Sequence, residues 1–512
     1  MRLLVVFAFV GSVLAPPEAA AQRSAAPAPP ELPVVAVEGL ELADLEPLAG
    51  RGAVGLLVPG AGPETSEALA RAAVEHAEAR NSLHGELPEG RRRIRVQMAD
   101  TVPRGPAIVL GLPRGDRQAN DRRYPIAVVA PGYRGLLTSP STRIAGLVSA
   151  VDVAPTAQRE ERSLGSAHTA DAVGELRELD SRIRDNGTAR QPASVAAAVV
   201  VALLALVAGG RAALVGVATA LLANLVLGAV GVSEPWVTVP VVAGSALAGT
   251  LGRRAGAAAA GLLLAATVAA YLVAMGLDDR WVALSPLGPS QNARFYGLSN
   301  LLETMLLVPA LAAAALLGRR YGPLGFLAVA VGSLVAVAGS RFGADGGGAI
   351  VLAAGFAVLA ALLAGGGRRA VALAAAGAAT VVLLLALDAL LGPATHVGET
   401  VRGGPAELAE DLADRLSLSW RRATARVQDA VFVAAGIAVL ALVAAHLRKL
   451  PRDAASLPLA FAAAIVVSLL VNDSPVDVTL WGLAGLLAVR AASSSRGVPR
   501  TASRSTPDTR RP

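Results

Sequence analysis

The stretch that decides the fold is SVAAAVVVALLALVAGG, residues 194–210, which contains no charged side chain. A run of roughly 17–25 apolar residues is long enough to cross the hydrocarbon core of a membrane as a helix. Before this stretch charged residues recur throughout the chain, and after it one apolar run follows another. The sequence therefore predicts an all-α membrane part that begins near residue 194.

The composition supports a membrane protein. Of the 512 residues, 54% are hydrophobic and 17% are charged, whereas soluble proteins average about 45–50% apolar and about 25% charged residues. Cysteine is absent, which excludes disulfides and thiol chemistry. The sequence predicts no nucleic-acid partner, and membrane lipids are the expected surroundings.

The membrane part, residues 194–492, contains a succession of apolar runs, each of which is a candidate transmembrane helix. Several are shorter than the roughly 20 residues that a span usually needs, so the predicted number is about eleven. The candidate spans are 194–210, 212–232, 237–251, 255–276, 298–317, 321–339, 349–364, 370–391, 430–446, 454–472 and 478–492. Residues 493–512 form a basic tail that is expected to be disordered.

The N-terminus has the features of a secretory signal peptide, residues 1–21. Arg2 provides the positive start, residues 3–14 the apolar segment, and Ala19-Ala20-Ala21 the cleavage site. An uncleaved anchor helix is the alternative. In both cases the chain that follows residues 22–31, a Pro/Ala linker, is expected to be exported.

Residues 32–190 read as an extracytoplasmic α/β domain, called here the N-domain. Runs rich in Val, Ile and Leu alternate with a helical segment at 65–80, and this alternation favours a mainly parallel sheet covered by helices. The predicted strands are 34–37, 53–58, 93–98, 107–110 and 125–130.

Charge predicts the topology of the membrane part. If residues 22–193 are outside, the spans alternate so that the short loops on the cytoplasmic side are all basic, as the positive-inside rule requires. The protein is thus expected in a bacterial plasma membrane with its N-domain extracytoplasmic and its C-terminus cytoplasmic. The basic loops hold Arg211, Arg253, Arg254, Arg319, Arg320, Arg368, Arg369, Arg448, Lys449 and Arg452.

The same alternation brings ionisable residues together on the outer face. Asn300 and Glu303 are three residues apart, so they share one face of a helix that starts near residue 298. A lone carboxylate there would be driven towards neutrality, and a nearby arginine such as Arg294 or Arg341 would keep it charged. We predict an outward-facing polar site; a structural ion pair between helices is the alternative. The candidate residues are Arg294, Asn300, Glu303, Arg341, Asp345, His396 and Asp473.

Two further external segments carry alternative interpretations. FGADGGGA, residues 342–349, could cradle an oxyanion with its glycine amides, or its glycines could allow close helix packing or a re-entrant turn. Residues 405–428 repeat an apolar residue every four positions, which predicts an amphipathic helix. It would lie on the outer membrane surface or cap the bundle.

Residues 124–156, YPIAVVAPGYRGLLTSPSTRIAGLVSAVDVAPT, contain a strand, a Gly-Leu-Leu-Thr-Ser segment and an Asp-x-x-Pro-Thr motif made by Asp152, Pro155 and Thr156. This combination resembles the C-terminal part of the alkaline-phosphatase superfamily core, as in sulfatase-like and phosphoglyceromutase-like proteins. The membrane half, with ARFYGLSN and FGADGGGA, resembles a group of uncharacterised bacterial polytopic proteins that carry such an exported domain. The resemblance implies an alkaline-phosphatase-like fold for the N-domain.

The resemblance does not extend to the catalytic residues. That superfamily uses Asp and His metal ligands around a Ser or Thr nucleophile, but Glu38 stands where the first strand would end in a metal-binding Asp. The N-domain histidines, His76, His84 and His168, are scattered along the sequence. We therefore expect a degenerate domain that serves binding or scaffolding, with no metal and no cofactor.

The predicted function is that of an envelope protein which binds, processes or moves an anionic or lipid-linked substrate at the outer face. Many spans, an outward set of arginines and carboxylates, and an external helix favour it. The alternatives are a secondary transporter and a non-catalytic scaffold, and whether the chain is an enzyme stays open.

Overall fold

The computed structural model describes residues 31–494 apart from 61, 80–81, 85–86, 88–90, 162, 290–294, 340, 344–345 and 366–404, and only the backbone of 405–412. An α/β part is followed by an all-helical part, as the sequence predicts. The predicted signal peptide and the predicted C-terminal tail lie outside the described residues.

The strands of the N-domain lie close to their predicted positions. Three match residue for residue: β1 (Val34–Val37), β2 (Ala53–Val58) and β5 (Ala107–Leu110). Two are displaced, since β4 is Val96–Ala99 and β7 is Tyr124–Val129. The short strands are β3 (Glu64–Thr65), β6 (Gln118–Ala119), β8 (Gly135–Thr138), β9 (Leu147–Ser149) and β10 (Gly165–Ala167).

The main sheet is mixed. Its order is β10-β8-β2-β7-β5-β1-β4, with β9 also paired to β2. The central strand β7 runs antiparallel to both β2 and β5, and β10 runs antiparallel to β8, while the other pairings are parallel. Residues 111–123 explain the direction of β7, because they contain the short β6 and no helix. A parallel return would need a crossover connection, which is usually helical.

Helices cover both faces of this sheet. Its short helices are α1 (Glu46–Ala49), α2 (Glu67–His76) and α3 (Val153–Ala157), and the long helix α4 is Ala172–Leu203. Successive residues of a strand point to opposite faces. In β1, Val35 accordingly packs in the cluster that holds Leu176 of α4, and Ala36 in the cluster that holds Val74 of α2.

Helix α4 joins the two parts of the molecule. It has 32 residues, begins on the sheet and continues past the predicted domain boundary at 190–194 without a break, with Pro192 inside it. Three of its polar residues, at i, i+4 and i+8, bind the carbonyls of one loop. Arg182 Nε and Asn186 Nδ2 donate to Leu284 O at 3.2 and 2.8 Å, and Arg190 Nη1 donates to Gly288 O at 3.0 Å.

The helical part is a bundle. Nine helices of the described chain are long and apolar enough to cross a membrane, and Pro323–Ala338 is a shorter apolar helix. The predicted span 370–391 lies outside the described residues. The helices after α4 are α5 (Gly210–Val230), α6 (Pro235–Leu247), α7 (Ala257–Leu277), α8 (Asp279–Ala283), α9 (Asn300–Tyr321), α10 (Pro323–Ala338), α11 (Gly346–Leu363), α12 (Pro405–Thr424), α13 (Val427–Leu447), α14 (Arg452–Val471) and α15 (Pro475–Ser494).

The bundle has two different ends. At the arginine end, which holds the basic turns, Arg211 Nη1 donates to Ala255 O at 3.4 Å and Arg319 Nη2 to Asp453 O at 3.1 Å. At the N-domain end, Arg421 of α12 donates to Leu83 O of the N-domain at 2.7 Å. The predicted separation of basic turns from polar loops is therefore present as two ends of one bundle.

Candidate functional site

Helix α9 begins with a capped turn that fixes the residues singled out in the sequence. Ser299 is its N-cap, and its Oγ accepts a hydrogen bond from Leu302 N at 3.2 Å. The same hydroxyl donates to Leu287 O at 2.9 Å, which ties the start of α9 to the preceding loop. Serine suits this position because its oxygen satisfies an amide that the helix leaves unbonded. Asn300 and Glu303 thus lie in the first turn of α9.

Glu303 is buried, with 2% of its surface exposed. Its Oε2 accepts a hydrogen bond from Asn472 Nδ2 at 2.6 Å, and Asn472, which is also 2% exposed, donates to Ser468 Oγ at 2.9 Å. A buried carboxylate is tolerated only where hydrogen bonds or charges compensate for lost water. The neutral amide of Asn472 provides one such bond.

Gly348 gives the Glu303 side chain its space. A Cβ at Gly348 would lie 3.0 Å from both Cγ and Cδ of Glu303 and 2.6 Å from Val337 Cγ1. Only glycine lets α11 approach this closely. Of the two interpretations of FGADGGGA, the structure supports close helix packing at this position.

Asp473 connects α9 with α12. Asn300 Nδ2 donates to Asp473 Oδ1 at 2.6 Å, and Arg422 Nη1 forms an ion pair with Asp473 Oδ2 at 3.2 Å. Ser419 of α12 also donates to Leu469 O at 2.9 Å, so the helix contacts α14 along with the N-domain. We call Asn300, Glu303, Arg422, Asn472 and Asp473 the helix cluster.

Arg190 and Asp477 extend the charges of this cluster. The charged groups that face the Arg190 guanidinium are Asp477, Asp473 and Arg422, and those that face Asp477 are Arg190 and Arg422. With Glu303, the described charges of this region are two arginines and three carboxylates. The region therefore carries no excess of positive charge among the described residues.

A second group of charges, the junction cluster, lies between the N-domain and the bundle: Arg143, Asp279, Tyr296 and Arg341. Arg341 Nη1 pairs with Asp279 Oδ2 at 3.0 Å, Arg143 Nη1 donates to Arg341 O at 3.1 Å, and the Arg143 Cζ lies 4.1 Å from the centre of the Tyr296 ring. Burial raises the pKa of Asp279, and the positive charges of Arg341 and Arg143 act against this rise. Asp279 Oδ1 is buried and receives no hydrogen bond from the described residues.

The structure brings together three of the seven predicted site residues. Asn300, Glu303 and Asp473 share the helix cluster, whereas Arg341 belongs to the junction cluster. Arg294, Asp345 and His396 lie outside the described residues.

Sequence reasoning missed Arg190, Arg143 and Tyr296 as members of these clusters. It placed Arg422 only within the predicted helix 405–428, without a role in the site. An arginine four residues before an apolar run, as Arg190 is, was the available signal for the first.

The Asp-x-x-Pro-Thr motif that begins at Asp152 has a structural role, since its side chains are hydrogen-bonded within the N-domain. Asp152 is 5% exposed; its Oδ1 accepts from Ser141 Oγ at 2.7 Å and its Oδ2 from Ser139 Oγ. Thr156 Oγ1 donates to Asp152 O at 2.6 Å. These bonds hold the loop after β8 against α3. Within the described part of the chain, no three His, Asp or Glu side chains are grouped so that they could hold a metal ion.

Comparisons with protein-family models, with curated proteins and with solved structures give no match to this chain. We therefore infer its function from its residues and their geometry.

Proposed function

We propose that this multi-pass membrane protein binds the polar head of a lipid-linked or anionic envelope substrate in the helix cluster. The observation that carries the proposal is Glu303, 2% exposed in the first turn of α9. Of the apolar stretch of α9, 89% is buried, compared with 22% for α13. Ionisable residues within membrane helices are rare and usually mark functional sites.

The orientation that we propose places the N-domain end outside a bacterial plasma membrane. The basic turns at the arginine end support it, since short cytoplasmic loops are enriched in Arg and Lys. The helix cluster would then open towards the outer leaflet, beneath the N-domain and α12. A lipid-linked substrate could reach it from the membrane without crossing the bundle.

The side chains suggest a division of tasks. Arg422 can bind a phosphate group, because a guanidinium offers paired donors that match its oxygens. Since Arg422 pairs with Asp473, a bound phosphate would take the place of Asp473. Glu303 can accept a hydrogen bond from a hydroxyl, and if a transfer reaction occurs it is our candidate for the base.

A secondary transporter is the second candidate, and one contact favours it. The bond to Glu303 Oε2 comes from a neutral amide, which keeps its donor whether or not the carboxyl is protonated. Glu303 can therefore take up and release a proton without losing this contact. Such a group is what proton-coupled transport requires.

The alkaline-phosphatase likeness of the N-domain belongs to the same proposal, as a degenerate fold kept for binding or scaffolding. Two observations support it: Glu38, and not an Asp, directly follows β1, and the Asp152 carboxylate is engaged in hydrogen bonds within the N-domain. A colorimetric assay of phosphate-monoester hydrolysis by the purified chain tests it, and metal-dependent turnover would contradict it.

Native mass spectrometry of the detergent-purified protein tests the main proposal. The wild type is compared with Glu303→Gln and Arg422→Gln, and Ser456→Ala serves as the control. Ser456 is a buried residue at the arginine end of α14, where its Oγ donates to Arg452 O at 2.5 Å. We expect an anionic lipid to be retained by the wild type and by the control and lost from both cluster variants.

Equal lipid retention in all four proteins would overturn the substrate site. The transporter is then tested by melting curves over a range of pH. A pH-dependent step in stability that disappears only in Glu303→Gln would show that this carboxyl exchanges a proton. Variants that are merely less stable, with neither change, would make the cluster a structural contact.

A further inference from the structure

The antiparallel direction of β7 creates a groove in the N-domain that the phosphatase resemblance does not foresee. The carboxyl end of β7 lies beside the amino ends of β2, β5 and β8, as the pairs Ala53 with Val128 and Ala107 with Val129 show. The loops at this edge border the groove, which has a volume of about 360 Å³. This edge is opposite the carboxyl end of β1, where Glu38 stands and where parallel strands of α/β sheets usually bind ligands.

Three arginines, one from each of three loops, surround the groove. Arg51 precedes β2, Arg104 precedes β5 and Arg134 precedes β8, and all three are exposed. Arg51 Nη2 donates to Arg104 O at 2.5 Å, which holds one guanidinium across the groove, and Arg134 N donates to Ser166 Oγ at 3.2 Å. The described residues that line the groove include no acidic side chain.

The charges of these arginines are not balanced, in contrast to those of several other arginines in the N-domain. Arg71, Arg93, Arg117, Arg123 and Arg177 each pair with a carboxylate. Among the described residues, no carboxylate forms an ion pair with Arg51, Arg104 or Arg134. Like charges that converge without a counter-charge repel each other, so an anion that enters the groove relieves this repulsion.

Glycines leave the floor and rim of the groove open. A Cβ added at Gly105 or Gly132 would meet nothing within 4 Å. Gly132 also has a φ of +91°, a conformation that other residues rarely adopt. Guanidinium groups bind phosphate and carboxylate oxygens in pairs. A volume of this size admits a small polyanionic group.

The groove is at the end of β8 that faces away from the bundle. Arg143, beyond the carboxyl end of β8, contacts Arg341 of the bundle, whereas Arg134 is at the amino end of β8. This placement favours an occupant other than a lipid head group of the bilayer.

We propose that this groove binds a phosphate- or carboxylate-bearing group of a soluble molecule or an envelope polymer, at a site separate from the helix cluster. It gives the N-domain a binding role of its own, independent of the function proposed for the bundle.

The test uses the full chain in nanodiscs of neutral lipid, titrated calorimetrically with inorganic diphosphate and, separately, with citrate. We expect binding by the wild type that weakens about tenfold in Arg104→Ala and further in Arg104→Ala/Arg134→Ala, as for the loss of charge-assisted bonds. Arg117→Ala, an exposed arginine paired with Glu64, is the matched control and should bind as the wild type does. Glu303→Gln should also bind normally, which separates this site from the helix cluster.

Three results would overturn the proposal. The first is no binding of either anion by the wild type at millimolar concentration and low salt. The second is an equal loss in Arg117→Ala, which would indicate a diffuse charge effect. The third is weaker binding of both anions when the titration is repeated in nanodiscs that contain anionic lipid, which would assign the groove to lipid head groups.

Discussion

The helix cluster and the junction cluster lie at the same end of the bundle, yet they are built differently. In the junction cluster Asp279 faces two arginines, and Arg143 is stacked on an aromatic ring. In the helix cluster the carboxyl of Glu303 is bonded by an amide, and the amide of Asn300 shares Asp473 with Arg422. Paired charges and ring contacts fix two surfaces together, whereas amides can exchange partners. We infer that the junction cluster is a structural joint between the N-domain and the bundle, and that the helix cluster is a binding site.

The largest effect is expected from Asn472→Leu. This change removes the donor to buried Glu303, and a hydrogen bond to a charged group is worth about 1.5–3 kcal/mol. We expect the free energy of unfolding in detergent to fall by this amount. In a Glu303→Leu background the same change should cost much less, because the acceptor is already gone. An equal cost in both backgrounds would show that the two residues do not interact.

The next effect concerns packing around Glu303. Gly348→Ala places a methyl group 3.0 Å from Glu303 and 2.6 Å from Val337, so we expect a loss of about 1–3 kcal/mol from overpacking. Gly332→Ala in the neighbouring α10 meets nothing within 4 Å and should gain up to about 1 kcal/mol from helix propensity. Unfolding curves of the two variants measure the difference. Equal effects would mean that the space at Gly348 is not limiting.

The third prediction concerns the pH dependence of stability that the junction cluster causes. The pKa of Asp279 is raised in the folded protein, so the folded state binds a proton more tightly than the unfolded state does. Its contribution to stability is thus fully present below the ordinary Asp pKa of 3.8 and is lost as pH rises through the raised value. Asp279→Asn should flatten the plot of melting temperature against pH in this range. A slope that survives in the variant would assign it to another group.

The smallest effect is expected from Arg143→Gln, which removes the contact with the Tyr296 ring and the bond to Arg341 O. A cation–π contact is worth about 0.5–1 kcal/mol when exposed and about 2 kcal/mol when desolvated, and Arg143 and Tyr296 are both half-buried, so we expect a loss of about 1 kcal/mol. Arg159→Gln is the matched control, because Arg159 has the same left-handed backbone, with φ +56° against +58° for Arg143. Faster proteolysis between the N-domain and the bundle only in Arg143→Gln would support the joint; equal rates would argue against it.

Local patterns predicted the elements, and tertiary contacts decided the rest. Short runs rich in Val, Ile and Leu located β1, β2 and β5, and the three-residue spacing placed Asn300 and Glu303 on one helix. The direction of β7 depends on its partners, so no local pattern encodes it. Asn472 is 169 residues from Glu303, and no periodicity relates two residues so far apart. The predicted roles of Arg294, Asp345 and His396 remain predictions.

The unbroken course of α4 has a mechanical consequence. At 1.5 Å per residue its 32 residues make a continuous rod about 48 Å long, in which Pro192 leaves one backbone hydrogen bond unmade. Arg182, Asn186 and Arg190 bind this rod to the loop whose Leu287 carbonyl receives the Ser299 cap of α9. We expect a tilt of the N-domain to act as a lever on Glu303. Spin-label distances between α4 and α9, measured with and without diphosphate, would show how far α4 moves. Unchanged distances would show that α4 connects the two parts without transmitting movement.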